Sequence, residues 1–110
     1  MCPENFEAYG ALLRAERYRI LGNTNSAIAH YKLAISESIS NKFTHIAALA
    51  NELLGRFCMH NNLSESTDIY LNRAVEFYGK WGADAKVRQL QEEFPYLASQ
   101  QKVVVSTRRS

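Results

Sequence analysis

The side chains able to do chemistry are few in this 110-residue chain, and they are scattered. His30, His45 and His60 recur at even intervals. None has a second His, Cys or acid at metal-ligand spacing in a recognisable motif, so each reads as the polar edge of a helix and no metal site is expected. Cys2 stands near the N-terminus and Cys58 on a face that the pattern below assigns to packing. No charged and then apolar leader opens the chain, so two thiols do not make a disulfide framework, and Cys58 is expected to be a buried, inert thiol. The stretch GADAK offers Gly82 and Lys86. It follows a helical pattern rather than a strand and lacks the Lys-Ser/Thr pair, so it is not a phosphate loop. A kinase loop of the His-Arg-Asp type and a phosphoacceptor histidine box are both missing. The expectation is a non-enzyme with no catalytic residues and no cofactor.

Two charge pairs remain, Glu16 with Arg19 and Glu52 with Arg56, in similar places of two related segments. Spacings of three and four suit ordinary intrahelical ion pairs, each contributing about 0.2–0.5 kcal/mol. A second reading gives them a partner. If these segments are the first helices of stacked hairpins, they line a concave groove, and Tyr9, Leu12, Glu16, Arg19, Leu49, Glu52, Arg56 and Met59 would face a bound protein or peptide.

The elements that would position these residues are helical. Residues 3–21 place Phe6, Tyr9, Leu12, Leu13, Tyr18, Ile20 and Leu21 at helical spacing, with Pro3 and Glu4 suited to a first turn and Gly22 to the stop. The next stretch resumes with Ala27, Ile28, Tyr31, Ala34 and Ile35 behind an Asn/Thr/Ser cluster that supplies N-caps. A second pair follows, THIAALANELLGRFCMH and SESTDIYLNRAVEFYGKW around the turn NNL, with Ser64 or Ser66 as its expected cap. A shorter helix then carries Ala83, Val87, Leu90, Phe94 and Leu97 in one apolar stripe, and Pro95 ends it near Glu93. With no credible strand before residue 102, the fold class is all-α: antiparallel helical hairpins over 3–40 and 43–81, stacked as a short solenoid of about five helices. The helix over 83–94 caps it, and 98–110 is a flexible tail or linker. The Val103 to Val105 run and the terminal Arg108 and Arg109 lie in that tail.

Superposing the two pairs reveals an internal repeat, with Ala34 over Ala74, Ala15 over Gly55, Gly22 over Asn62, Ala27 over Thr67 and Tyr31 over Leu71. The small residues and aromatics of the first unit resemble the tetratricopeptide repeat. The second unit departs from it, with Cys58 where an aromatic is expected and Thr67 for a small alanine. Taken together, YGALLRAERYRILGNTNSAIAHYKLAI, ALANELLGRF and YLNRAVEFYGKWGADAKVRQLQEEFPYL resemble the helical-repeat region of large bacterial multidomain signalling proteins. Those proteins join a serine/threonine kinase-like domain, a STAND-type ATPase, a GAF domain and a histidine kinase, and WGADAKVRQL resembles the end of their helical array. The resemblance covers nearly all of 3–97 and implies a fragment or truncated relative, because nothing catalytic accompanies it.

The expected function is therefore a non-catalytic module for protein–protein interaction or intramolecular signal relay. The alternative is a remnant of a sensor histidine kinase or serine/threonine kinase whose catalytic domains lie outside this chain. Partners are expected to be a protein or peptide, or other domains of the same parent, with self-association because two and a half repeats bury little of their end faces. A net charge of +2 without a clustered basic face argues against nucleic acid, and no apolar run approaches a bilayer span, which points to the cytoplasm and to no membrane contact.

Overall fold

The computed structural model describes residues 3–97, and side chains from Glu7 onward except Ser64. The expected first-turn roles of the Pro3 and Glu4 side chains, the apolar place of Phe6, the reading of Cys2, and the tail 98–110 lie outside the described side chains or residues. Five helices follow one another: α1 (Pro3–Leu21), α2 (Thr24–Ser40), α3 (Thr44–His60), α4 (Ser64–Trp81) and α5 (Asp84–Glu93). There is no strand among the described residues. The fold is all-α, as the periodicity predicts.

One device makes every corner. Gly22, Lys42, Asn62 and Gly82 all adopt left-handed backbone, with φ of 80°, 62°, 61° and 89°. They are evenly spaced along the chain, and each sits inside the same pair of hydrogen bonds. At the first corner Gly22 N donates to Arg19 O and Asn23 N to Tyr18 O; at the third, Asn62 N donates to Met59 O and Leu63 N to Cys58 O. This Schellman geometry satisfies carbonyls that the helix end leaves open. The following residue then starts the next helix, its carbonyl accepting from the amide four residues on, as Asn23 O does from Ala27 and Leu63 O from Thr67. Only Asn23 also caps with its side chain, accepting from Ser26 N at 3.3 Å. The expected caps Ser64 and Ser66 fall inside α4, whose N-cap is Leu63 without a side-chain bond. The preceding left-handed turn sets the direction of the chain there, so the helix begins before a hydroxyl could cap it.

The helices stack as antiparallel hairpins. Ala11 and Ala15 of α1 meet Ala27 and Ala34 of α2 with no exposed surface, which lets the backbones approach closely. Tyr31 fills the remaining space, its ring 5.8 Å from that of Phe57 in α3. Gly55 performs the same service in the second hairpin, where a methyl group would meet the Leu71 side chain at 2.8 Å and its backbone nitrogen at 3.2 Å. Cys58 is buried, and burial pushes its thiol above the usual range. α5 lies over the end of the stack, with Leu90, Phe94 and Leu97 buried against Leu71, Ala74, Val75 and Tyr78 of α4. Pro95 stops α5 as expected and also opens a further helical segment at 95–97, because a proline lacking its amide hydrogen is at ease in a first turn.

Candidate functional site

Glu52 and Arg56, one turn apart on α3, share one helix face. Glu52 is 5% exposed, a position a carboxylate tolerates only when it is hydrogen-bonded. Its donors come from three helices. Tyr78 Oη of α4 donates to Oε1 at 2.7 Å, Arg56 Nε to Oε2 at 3.0 Å, and Lys86 Nζ of α5 lies 3.2 Å from Oε1. The Arg56 guanidinium then uses its two terminal nitrogens on Glu93 of α5, at 2.6 and 2.8 Å. It also stacks 5.5 Å from the centre of the Phe94 ring, while the Lys86 ammonium lies 5.4 Å from that of Tyr78. Two acids and two bases thus join α5 to α3 across the side of the array.

The proton affinities follow this geometry. Burial by itself would raise the Glu52 carboxyl, but the bonds from Tyr78 and Arg56 and the charge of Lys86 outweigh it and hold the group below the usual carboxylate range. The Arg56 bond lowers Glu93, and Glu93 in turn raises Arg56. Tyr78 is raised by burial and then by its bond to Glu52. Each group is thus shifted away from neutral pH, so the two carboxylates and the guanidinium keep their charges there and the phenol keeps its proton.

The first hairpin has a smaller counterpart. Tyr31 Oη of α2 donates to Glu16, which also takes Arg19 at 2.9 Å. Burial opposes ionisation of Glu16, and the Arg19 and Tyr31 bonds overcome it. The two clusters are not superposable by the internal repeat, which sets Arg56 over Glu16 and Glu52 over Leu12.

The eight residues expected to face a partner therefore have different fates. Leu12 is buried in the core shared by α1, α2 and α3, and Glu52 is enclosed, so neither meets solvent. Arg56 is half-buried under α5, and Glu16 is half-buried beside Arg19 and Tyr31. Tyr9, Arg19, Leu49 and Met59 remain exposed. Met59 also lines an open cleft of about 390 Å³ with Asn62, Thr67, Asp68, Phe94 and Tyr96. There partial burial and a bond to Asp68 push the Tyr96 phenol up to about 12. The periodicity hides the roles of Lys86, Glu93, Tyr78 and Tyr31. The one available signal is that Lys86 and Glu93, two helical turns apart, flank the apolar stripe of α5 on the same side. Among the described residues, no group of three His, Cys, Asp or Glu side chains could hold a metal ion, and no helix is long and apolar enough to cross a membrane.

Over 69 residues, 63% of its length, the chain is 36% identical to the hybrid signal transduction histidine kinase G of Dictyostelium discoideum. It spans about 2% of that protein's length. The similarity is to a signalling protein, and the relative is an amoebal protein where the sequence resemblance pointed to bacteria. No family model matches the chain, and no solved structure matches it.

Proposed function

We propose that the chain is a non-catalytic helical-repeat module that makes protein contacts, or relays movement between neighbouring domains, within a signal-transduction protein. The observation that carries this reading is the ionic clasp of Glu52 and Arg56 with Lys86 and Glu93, through which the array already holds a helix across its side. A helix seated on an array by a few charged contacts and one apolar stripe is a connection that a partner or a neighbouring domain can displace. The exposed residues Tyr9, Arg19, Leu49 and Met59, with the half-buried Glu16 and Arg56, are the surface we assign to that contact. Similarity to a small part of a histidine kinase favours the companion reading, that catalysis belongs to domains beyond this stretch.

The test places a photo-crosslinking amino acid at Leu49, and separately at the exposed Ser36 of α2, in cells that make the protein. The expected result is a defined crosslinked protein or domain from position 49 that is absent from position 36. Identical crosslinks from both positions, or saturable heat on titrating the chain with ATP and magnesium, overturn the proposal.

A further inference from the structure

The two ends of the stack are finished differently. At one end α5 covers α4, whereas no described element covers the outer side of α1. That side, opposite the buried Ala8, Ala11 and Ala15, carries Leu13, Ile20 and Leu21 together with Arg14 and Arg17. Leu13, Ile20 and Leu21 are 68%, 74% and 66% exposed, far more than a solvated helix face needs to leave open. Between Leu13 and Leu21 the one acid is Glu16, which is bound to Arg19 and Tyr31. Arg14 and Arg17 make no ion pair with another described residue.

The repeat tells what kind of surface this is. In the second unit Leu13, Arg14 and Arg17 become Leu53, Leu54 and Phe57, which pack in the core that α3 shares with α2. Leu13, Arg14 and Arg17 therefore stand in the register that receives a helix, with two guanidinium groups where α3 has a leucine and a phenylalanine, while Ile20 and Leu21 align with the exposed His60 and Asn61 and extend the apolar surface beyond it. An apolar neighbour like α2 would bury both charges unpaired, which is costly. A helix that sets carboxylates against them would not. α5 shows the same solution within this molecule, since Leu90, with Phe94 and Leu97 just beyond the end of the helix, is flanked by charges matched to Glu52 and Arg56.

We infer that the outer face of α1 is a docking surface for an amphipathic helix of another protein, with an apolar stripe that meets Leu13, Ile20 and Leu21 and carboxylates that meet Arg14 and Arg17. The surface lies apart from the α3 side and does not depend on the role proposed for it. Like charge disfavours a second copy of α1 in that place, because Arg14 and Arg17 would face their own counterparts.

The probes are two synthetic helices of one leucine stripe, one flanked by glutamates and the other by lysines, titrated into the full chain and followed by fluorescence anisotropy. The glutamate helix is expected to bind at least about tenfold more tightly than the lysine helix, with an advantage that shrinks as salt rises. In the double variant Arg14→Glu, Arg17→Glu the preference should invert, a gain of binding that misfolding cannot imitate. Leu13→Asp should weaken both probes while leaving the melting temperature within a few degrees. Equal affinities, or no binding of either helix, overturn the inference. So does tighter binding to phosphatidylserine vesicles than to the glutamate helix, or a concentration-dependent dimer that Leu13→Asp abolishes.

Discussion

Arg56 closes both terminal nitrogens of its guanidinium on the two carboxylate oxygens of Glu93, 37 residues further along the chain. Such two-point contacts fix orientation as well as distance, so this pair sets how α5 lies on α3. Glu93 is substantially exposed, and solvent screens its part of the interaction. A double-mutant cycle of Arg56→Ala and Glu93→Ala, read by urea denaturation, should give a coupling of about 0.5–1 kcal/mol. Arg56→Ala alone should cost more than Glu93→Ala, because it also takes a donor from the enclosed Glu52.

Removing the charge of Glu52 should cost about 1–3 kcal/mol as Glu52→Gln, since Arg56 and Lys86 lose the carboxylate they share. The same group makes stability depend on pH. A carboxyl held below its unfolded value contributes stability that is complete above that value, near about 4.3, and is lost as pH falls through the folded one. Glu16 and Glu93 act in the same direction. Denaturation from pH 7 down to pH 3 should therefore show stability falling in the acid range, with a shallower fall in Glu52→Gln. Equal slopes would remove Glu52 from the account.

Much of this arrangement is legible in the sequence alone, and the rest is closed for a definable reason. Helix positions follow from local matters, the apolar period and the breaks at Gly22, Gly82 and Pro95, and the structure repeats them to within a residue or so. Lys42 escapes the same reading because a lysine gives no sign of left-handed backbone, although it does the work of Gly22. Pro95 announces an end but not the segment it begins. The hydrogen bond from Tyr78 to Glu52 spans 26 residues, and the contact of Lys86 with the same carboxylate spans 34, distances at which neither residue type nor spacing carries a signal. The intrahelical pairs are visible in the sequence, but what turns them into a clasp belongs to the tertiary packing.

Lys42 suggests a stabilising change. Left-handed backbone costs an ordinary residue about 1–2 kcal/mol, and glycine escapes that cost while giving back some of the gain through its freer unfolded chain. Lys42→Gly should raise stability by about 0.5–1 kcal/mol, whereas Gly82→Ala should lower it by a similar amount. Thermal melts followed by circular dichroism would show both signs.

Gly55 should behave in the opposite way from a solvent-facing helical glycine. Replacing such a glycine by alanine ordinarily gains about 1 kcal/mol of helix propensity. Here the added methyl group would press on Leu71, including its backbone nitrogen, which cannot turn aside. Gly55→Ala is expected to cost about 1–3 kcal/mol as overpacking. Gly79→Ala, where nothing lies within reach of the new methyl group, should be neutral or stabilising. Paired denaturation curves in urea decide between them.

Leu90 is fully buried on the inner side of α5, and Gln89 beside it is exposed. Leu90→Ala should cost about 2–5 kcal/mol, and Gln89→Ala less than about 0.5 kcal/mol. Equal small losses would show that α5 is not anchored through its apolar stripe.

The even placement of Gly22, Lys42, Asn62 and Gly82 also gives the array a parity. Each corner reverses the chain, so α1, α3 and α5 run one way while α2 and α4 run the other. The corners therefore alternate between two rims, Gly22 and Asn62 at one and Lys42 and Gly82 at the other. Excising one helix with its corner would reverse the direction of every helix that follows, while excising a whole hairpin would leave the alternation as it was.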